Sequence, residues 1–192
     1  MIACKWNMTK RIAAGLAMVG GLLGISGNAS AFPIATGGEG LAVVVSGTGD
    51  VIATFQGNSG SFSNDLYLVG QPGIIFNNQS SIVGSTVNLG SFTVGTQLLF
   101  RLHVNNTGND FFSGAAGLNP DNHAHANVQQ NWQPNETLVS FEDLLNGPFN
   151  YNDLSFSFTN TISTNVPEPG TALLAGLGLV MLGVARRRRT AR

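Results

Sequence analysis

The chain has 192 residues, of which 10% are charged and 43% apolar, with a formal net charge of −1 and one cysteine. The near-neutral total conceals a segregation: eight of the nine Lys and Arg residues fall at the two ends, while residues 32–166 carry nine acids against Arg101 alone, a charge of −8. A middle of that sign excludes charge-driven binding to nucleic acid or to anionic lipid, tolerates divalent cations, and is one domain in length.

The N-terminal stretch has three parts. Lys5, Lys10 and Arg11 form a positive region, residues 12–25 are apolar apart from glycines, and Ala29-Ser30-Ala31 is a small-x-small site. This order predicts a secretory signal peptide over residues 1–31, carried through the general secretion machinery and cut by signal peptidase before Phe32. A retained N-terminal membrane helix is the alternative. Cys4 lies ahead of the apolar run, so the processed chain has neither disulfide nor thiol chemistry.

Residues 32–163 read as β throughout. Short apolar or alternating runs, 41–45, 50–55, 65–69, 86–89, 91–94, 97–104, 137–141 and 154–158, are separated by Gly, Asn and Ser turns. The run 97–104 is the longest candidate strand. Side chains alternate across a strand, so Leu98, Phe100, Leu102 and Val104 share one face, and Arg101 and His103 the other. Leu154, Phe156 and Phe158 read as a core face rather than a sugar-stacking platform. Trp132, in a polar stretch, reads as a cap over the core, with a ligand platform as the alternative. The expected fold is all-β, a single sandwich or jelly-roll-like domain.

Polar chemistry gathers in the last third. Asp121, His123 and His125 form one patch; Glu142, Asp143, Asn150, Asn152 and Asp153 flank a tight Gly147-Pro148 loop. The histidines are expected to be solvent-exposed in a loop, with a transition-metal site or hydrogen bonding to the acidic loop as alternatives. The second patch offers hard oxygen ligands on two approaching strand ends, and calcium takes six to eight such oxygens. Adjacent acids such as Glu142 and Asp143 diverge on an extended backbone and converge only across a bulge or turn. Two readings overlap here: carboxylates that lock a turn by accepting backbone N–H bonds, and a calcium-held loop. A catalytic carboxylate pair is a third, smaller possibility. No nucleophile motif or phosphate loop is present in the sequence, so a non-enzyme is expected.

Phe141-Glu142-Asp143-Leu144, a glycine loop and Tyr151-Asn152-Asp153-Leu154 resemble the end of the DUF4114 extracellular domain, over roughly residues 97–159. His123 or His125 matches the histidine often found upstream in that family. The loop Asn146-Gly147-Pro148-Phe149-Asn150 lacks the family's usual aspartates. The resemblance implies no known enzyme activity.

The tail reads Val166-Pro167-Glu168-Pro169-Gly170, then an uncharged run over residues 171–185, then Arg186, Arg187, Arg188 and Arg189. A helix of that run spans about 22 Å at 1.5 Å per residue, short of the roughly 30 Å hydrocarbon core, so it predicts a short membrane helix aided by snorkelling arginines. Pro167, Glu168 and Pro169, the apolar run and the arginine cluster together resemble the PEP-CTERM sorting signal of Gram-negative bacteria. That resemblance implies exosortase, a membrane-embedded cysteine transpeptidase, as partner, and attachment or release of the upstream part outside the inner membrane. Residues 164–192 are therefore the expected sorting and anchor segment. The expected role is structural or adhesive at the cell surface or in an extracellular polysaccharide matrix such as a biofilm; a secreted carbohydrate-binding or carbohydrate-active protein is the alternative.

Overall fold

The computed structural model describes residues 31–165 together with Met181; residues 1–30 of the expected signal peptide, the Pro-Glu-Pro stretch, the apolar run apart from Met181 and the arginine cluster lie outside the described residues. Among the described residues no helix is long and apolar enough to cross a membrane. The chain is all-β. Its strands are β1 (Gly38–Glu39), β2 (Ala42–Val45), β3 (Asp50–Asn58), β4 (Asn64–Leu68), β5 (Phe76–Asn77), β6 (Thr86–Ser91) and β7 (Gln97–Leu98). Then follow β8 (Phe100–Val104), β9 (Asp110–Phe112), β10 (Ala126–Gln133), β11 (Glu136–Phe141), β12 (Leu154–Thr159) and β13 (Thr161–Thr164). They form three antiparallel sheets, ordered β1-β10-β11-β12-β3-β6, β13-β2-β7 and β5-β4-β8-β9.

One core joins the three sheets, and the alternation is cleanest in β3 and β8. Leu98, Phe100, Leu102 and Val104 are all buried, as are Leu154, Phe156 and Phe158. Phe156 meets Phe55 at 5.7 Å and Phe76 at 5.9 Å between ring centroids, and Phe100 stacks on Phe158 at 4.1 Å. These contacts place the six-stranded sheet against the four-stranded one. Each such ring contributes on the order of 1.5–3 kcal/mol through burial alone.

The structure differs from the sequence reading in three places. The run 97–104 is not one strand but two. Leu98 pairs with Val43 of β2, whereas Phe100 pairs with Leu68 of β4, so the chain changes sheets at Leu99. Phe92–Val94 forms no strand. The polar stretch around Trp132 is the far end of β10, where the register shifts between Gln129 and Gln133, and Trp132 is half-buried within that irregularity.

The outer face of the six-stranded sheet is also covered. Ser140 pairs with Ser155 and Leu138 with Ser157, and all four are buried. Residues 32–37 lie over this face as a strap. Phe32 sits against Gly57, the Ala35 N–H donates to Ser140 Oγ at 2.8 Å, and the Thr36 N–H donates to Gln129 Oε1 at 3.0 Å. The strap then pairs as β1 with Asn127 and Val128. At Gly37 it runs so close to β10 that an added Cβ would stand 1.9 Å from the Val128 carbonyl oxygen. Gly37→Ala is expected to lift the strap and lower stability by about 2–4 kcal/mol, by forcing backbone from backbone. Gly70→Ala, with nothing within 4 Å but φ at +89°, should cost only about 1 kcal/mol. Urea denaturation of the two variants checks the order.

Candidate functional site

The site begins where β11 ends. Phe141 still pairs with Leu154, but Glu142 and Asp143 lie beyond the ladder, where the backbone turns. That turn lets two adjacent acids converge. Glu142, Asp143 and Asp153 bring one carboxylate oxygen each within 4.8 Å of one another. Glu142 and Asp143 are buried, and Asp153 is half-buried. Three segments close around them. The Asp143 N–H donates to Asp153 Oδ2 at 2.9 Å, and the Leu144 and Asn150 N–H groups donate to the two Glu142 oxygens at 3.3 Å. From β4, Asn64 Nδ2 donates to Asp143 Oδ2 at 2.7 Å. The loop after β3 closes the other side, with the Gly60 N–H donating to the Asp153 carbonyl at 3.3 Å.

The loop between these acids is tightly wound. Asn146, Gly147 and Tyr151 take left-handed φ values of 64°, 77° and 54°, and the Gly147–Pro148 peptide is cis. A left-handed tyrosine is uncommon. It is held by its hydroxyl, which donates to the Ala124 carbonyl at 3.1 Å. Burial, with Glu39 and Glu142 nearby, raises its phenol above the ordinary range.

Electrostatically the cluster is uncompensated. Burial first, and then the charge of Asp153, push Glu142 up to about 7. Burial likewise raises Asp143 to about 6, with Asp153 adding to the rise while the Asn64 amide and the more distant His125 oppose it. Arg101 is engaged elsewhere, on the outer face of the four-stranded sheet, where it donates to Asp110 at 2.9 Å and lies over the Tyr67 ring at 4.2 Å. His103 meets the same Asp110 oxygen at 2.8 Å.

The histidine patch is a brace for this loop. His125 is fully buried, which corrects the expectation of an exposed side chain, and stacks on Phe111 at 3.8 Å. Its Nδ1 faces the Glu142 carbonyl at 2.9 Å and its Nε2 faces Asp121 Oδ2 at 3.0 Å. Asp121 also accepts the Asn146 N–H at 2.9 Å, so one carboxylate ties both patches together. His123 stays exposed and lies 4.9 Å from the Phe149 ring.

Of the residues singled out in the sequence, the structure gathers Glu142, Asp143 and Asp153. Asn150 is exposed, and its oxygen accepts the Asn152 N–H at 3.3 Å; the Asn152 carbonyl accepts from Ser59. Sequence reading missed Asn64, which is 79 positions from Asp143 and carries no local signal. It also left the Asp121–His125 pair unassigned, although spacing and residue types were visible.

One segment is identified by comparison with known proteins. Residues 165–189 match the PEP-CTERM protein-sorting motif. The motif implies exosortase as the processing partner and an exported, membrane-transiting protein. It begins one residue after β13, whose four residues are all paired with β2. No curated protein and no solved structure matches the chain.

Asp121 gives a pH signature. Burial works against its ionisation, but the Asn146 N–H, the His125 ring and the His123 N–H outweigh it and hold the carboxyl at about 2. A folded-state value below the unfolded one stabilises above the unfolded value, and the contribution fades as pH falls toward 2. Asp121→Asn is therefore expected to cost about 2 kcal/mol at pH 7, with the gap to wild type narrowing between about pH 4 and 2. Denaturant titrations of the full chain across that range check both magnitude and sign.

Proposed function

We propose that this is an exosortase-sorted protein of a Gram-negative envelope, with a structural or adhesive role at the cell surface or in an extracellular polysaccharide matrix. The observation that carries the reading is the PEP-CTERM motif at residues 165–189, directly after a fully paired terminal strand. In this reading signal peptidase cuts before Phe32, residues 171–185 hold the chain in the membrane until processing, and Arg186–Arg189 stay on the cytoplasmic side. Residues 32–163 are the passenger, and its likeness to DUF4114 rests on the Phe-Glu-Asp-Leu and Tyr-Asn-Asp-Leu segments. The passenger is taken as non-catalytic. Supporting this, Glu142 and Asp143 are buried, and backbone N–H groups of the loop occupy oxygens of Glu142 and Asp153. Calcium belongs to the reading as the ion its acidic loop would take.

A second reading, a carbohydrate-binding protein, is favoured by one observation. Tyr67, Arg101, His103 and Asp110 form a half-exposed polar and aromatic face on the four-stranded sheet. Such side chains suit sugar hydroxyls and ring faces.

Two measurements test these readings. In a host with exosortase, the full chain is expected to lose mass at its C-terminus and leave the inner membrane. In a host without it, the chain should remain membrane-bound at its unprocessed mass. Equal mass and fractionation in both hosts would sink the sorting reading. Co-sedimentation with the host's extracellular polysaccharide is expected for wild type. Loss of that sedimentation in Tyr67→Ala/Arg101→Ala, with folding intact, would favour the carbohydrate-binding reading; absence of sedimentation in wild type would sink both adhesive forms.

A further inference from the structure

We propose that Glu142, Asp143, Asp153 and Asn64 form a calcium site that clamps the four-stranded sheet to the six-stranded one at this end of the domain. The proposal rests on the calcium part of the reading above and does not depend on how the protein is sorted.

The first observation is geometric. Oxygens that share one calcium ion at 2.3–2.6 Å lie on a sphere, so no two of them can be more than about 5 Å apart. The three carboxylates meet that limit, with ligand atoms all within 4.8 Å of one another. Their donors are hard oxygens, the set calcium selects.

The second observation is independent of the acids. Asn64 is fully buried at the start of β4, and its side chain reaches into the cluster to touch Asp143 Oδ2 at 2.7 Å. Its own Oδ1 has no hydrogen-bond partner. A buried amide oxygen left unpaired is destabilising, and such groups are rare. A cation seated among the carboxylates supplies what this oxygen lacks. It is also a fourth ligand, from a different sheet.

The third observation is charge. Arg101, the only Lys or Arg among residues 31–165, is engaged by Asp110 on another face. A buried charge without a partner is costly enough that it is neutralised, by a proton or by a bound cation. Gly60 roofs the cluster closely: a Cβ there would stand 3.4 Å from Asp143 Oδ2 and 3.2 Å from the Asp153 Cβ. The ligands come from the start of β4, the end of β11 and the start of β12. One ion would thus fasten segments that are far apart in sequence.

The test uses the full chain in detergent micelles, stripped with chelator and titrated with Ca²⁺ and separately with Mg²⁺. Calorimetry is expected to show one Ca²⁺ per chain. Thermal unfolding is expected to rise by about 5–10 °C at calcium 100-fold above the dissociation constant. Asp143→Asn and Asp153→Asn should each weaken calcium binding at least tenfold. Asn64→Ala, which leaves the acids in place, should weaken it several-fold, and Asp50→Asn, exposed at the start of β3, should not change it. Absence of calcium heat and of any melting shift would overturn the proposal. So would unchanged affinity in Asp143→Asn or Asn64→Ala, or a response to Mg²⁺ equal to that for Ca²⁺. If Asp153→Asn fails to fold, Asn64→Ala still decides the ligand set. Failure of the sorting reading would appear in fractionation and leave this titration untouched.

Discussion

Strand β12 is buried on both of its faces, and the rest of the domain is arranged to achieve that. Its inward residues, Leu154, Phe156 and Phe158, meet rings from β3, β5 and β8. Its outward residues, Ser155 and Ser157, are small and hydroxylated, so a second layer of backbone can lie over them. Ser155 bonds to Ser140 at 2.6 Å, Ser140 in turn accepts the strap at Ala35, and Gln56 donates to Ser157 at 2.9 Å. Buried hydroxyls are tolerable only when satisfied, and each of these is. The strand is therefore sealed by rings on one side and by the first residues after the expected signal peptide on the other.

Both ends of β12 are committed as well. Its start carries Asp153 into the acidic cluster. Its end turns at Asn160, with φ of 54°, and crosses to another sheet as β13. Asn160 fixes that corner by donating to the Asp50 carbonyl and accepting from Asn135. The sorting motif follows within one residue of β13. Strands β12 and β13 thus lie between the acidic loop and the sorting motif.

Charge is segregated along this chain. Eight of the nine Lys and Arg residues lie in its two ends, and positive charge beside an apolar run orients a polypeptide in a membrane. The middle keeps one arginine and uses it on the outer face of the four-stranded sheet. That economy leaves the cluster of Glu142, Asp143 and Asp153 without a nearby basic side chain, and the brace built from Asp121 and His125 reaches the loop backbone instead.

What the sequence determined by itself was local. Alternating apolar residues revealed most long strands, because period-2 patterning is written within a few neighbours. The terminal motif was legible for the same reason: Pro-Glu-Pro, an apolar run and four arginines are contiguous. The acids of the loop were visible as residues and as spacing. The tertiary structure decided the rest, through contacts between distant positions. A polar stretch such as Ala126–Gln133 becomes a strand because β11 pairs with it. The run 97–104 breaks because two different strands claim its halves. Glu142 and Asp143 converge because the ladder stops at Phe141. Asn64 joins them from 79 positions away, with an oxygen whose missing partner is apparent only once both sheets are in place.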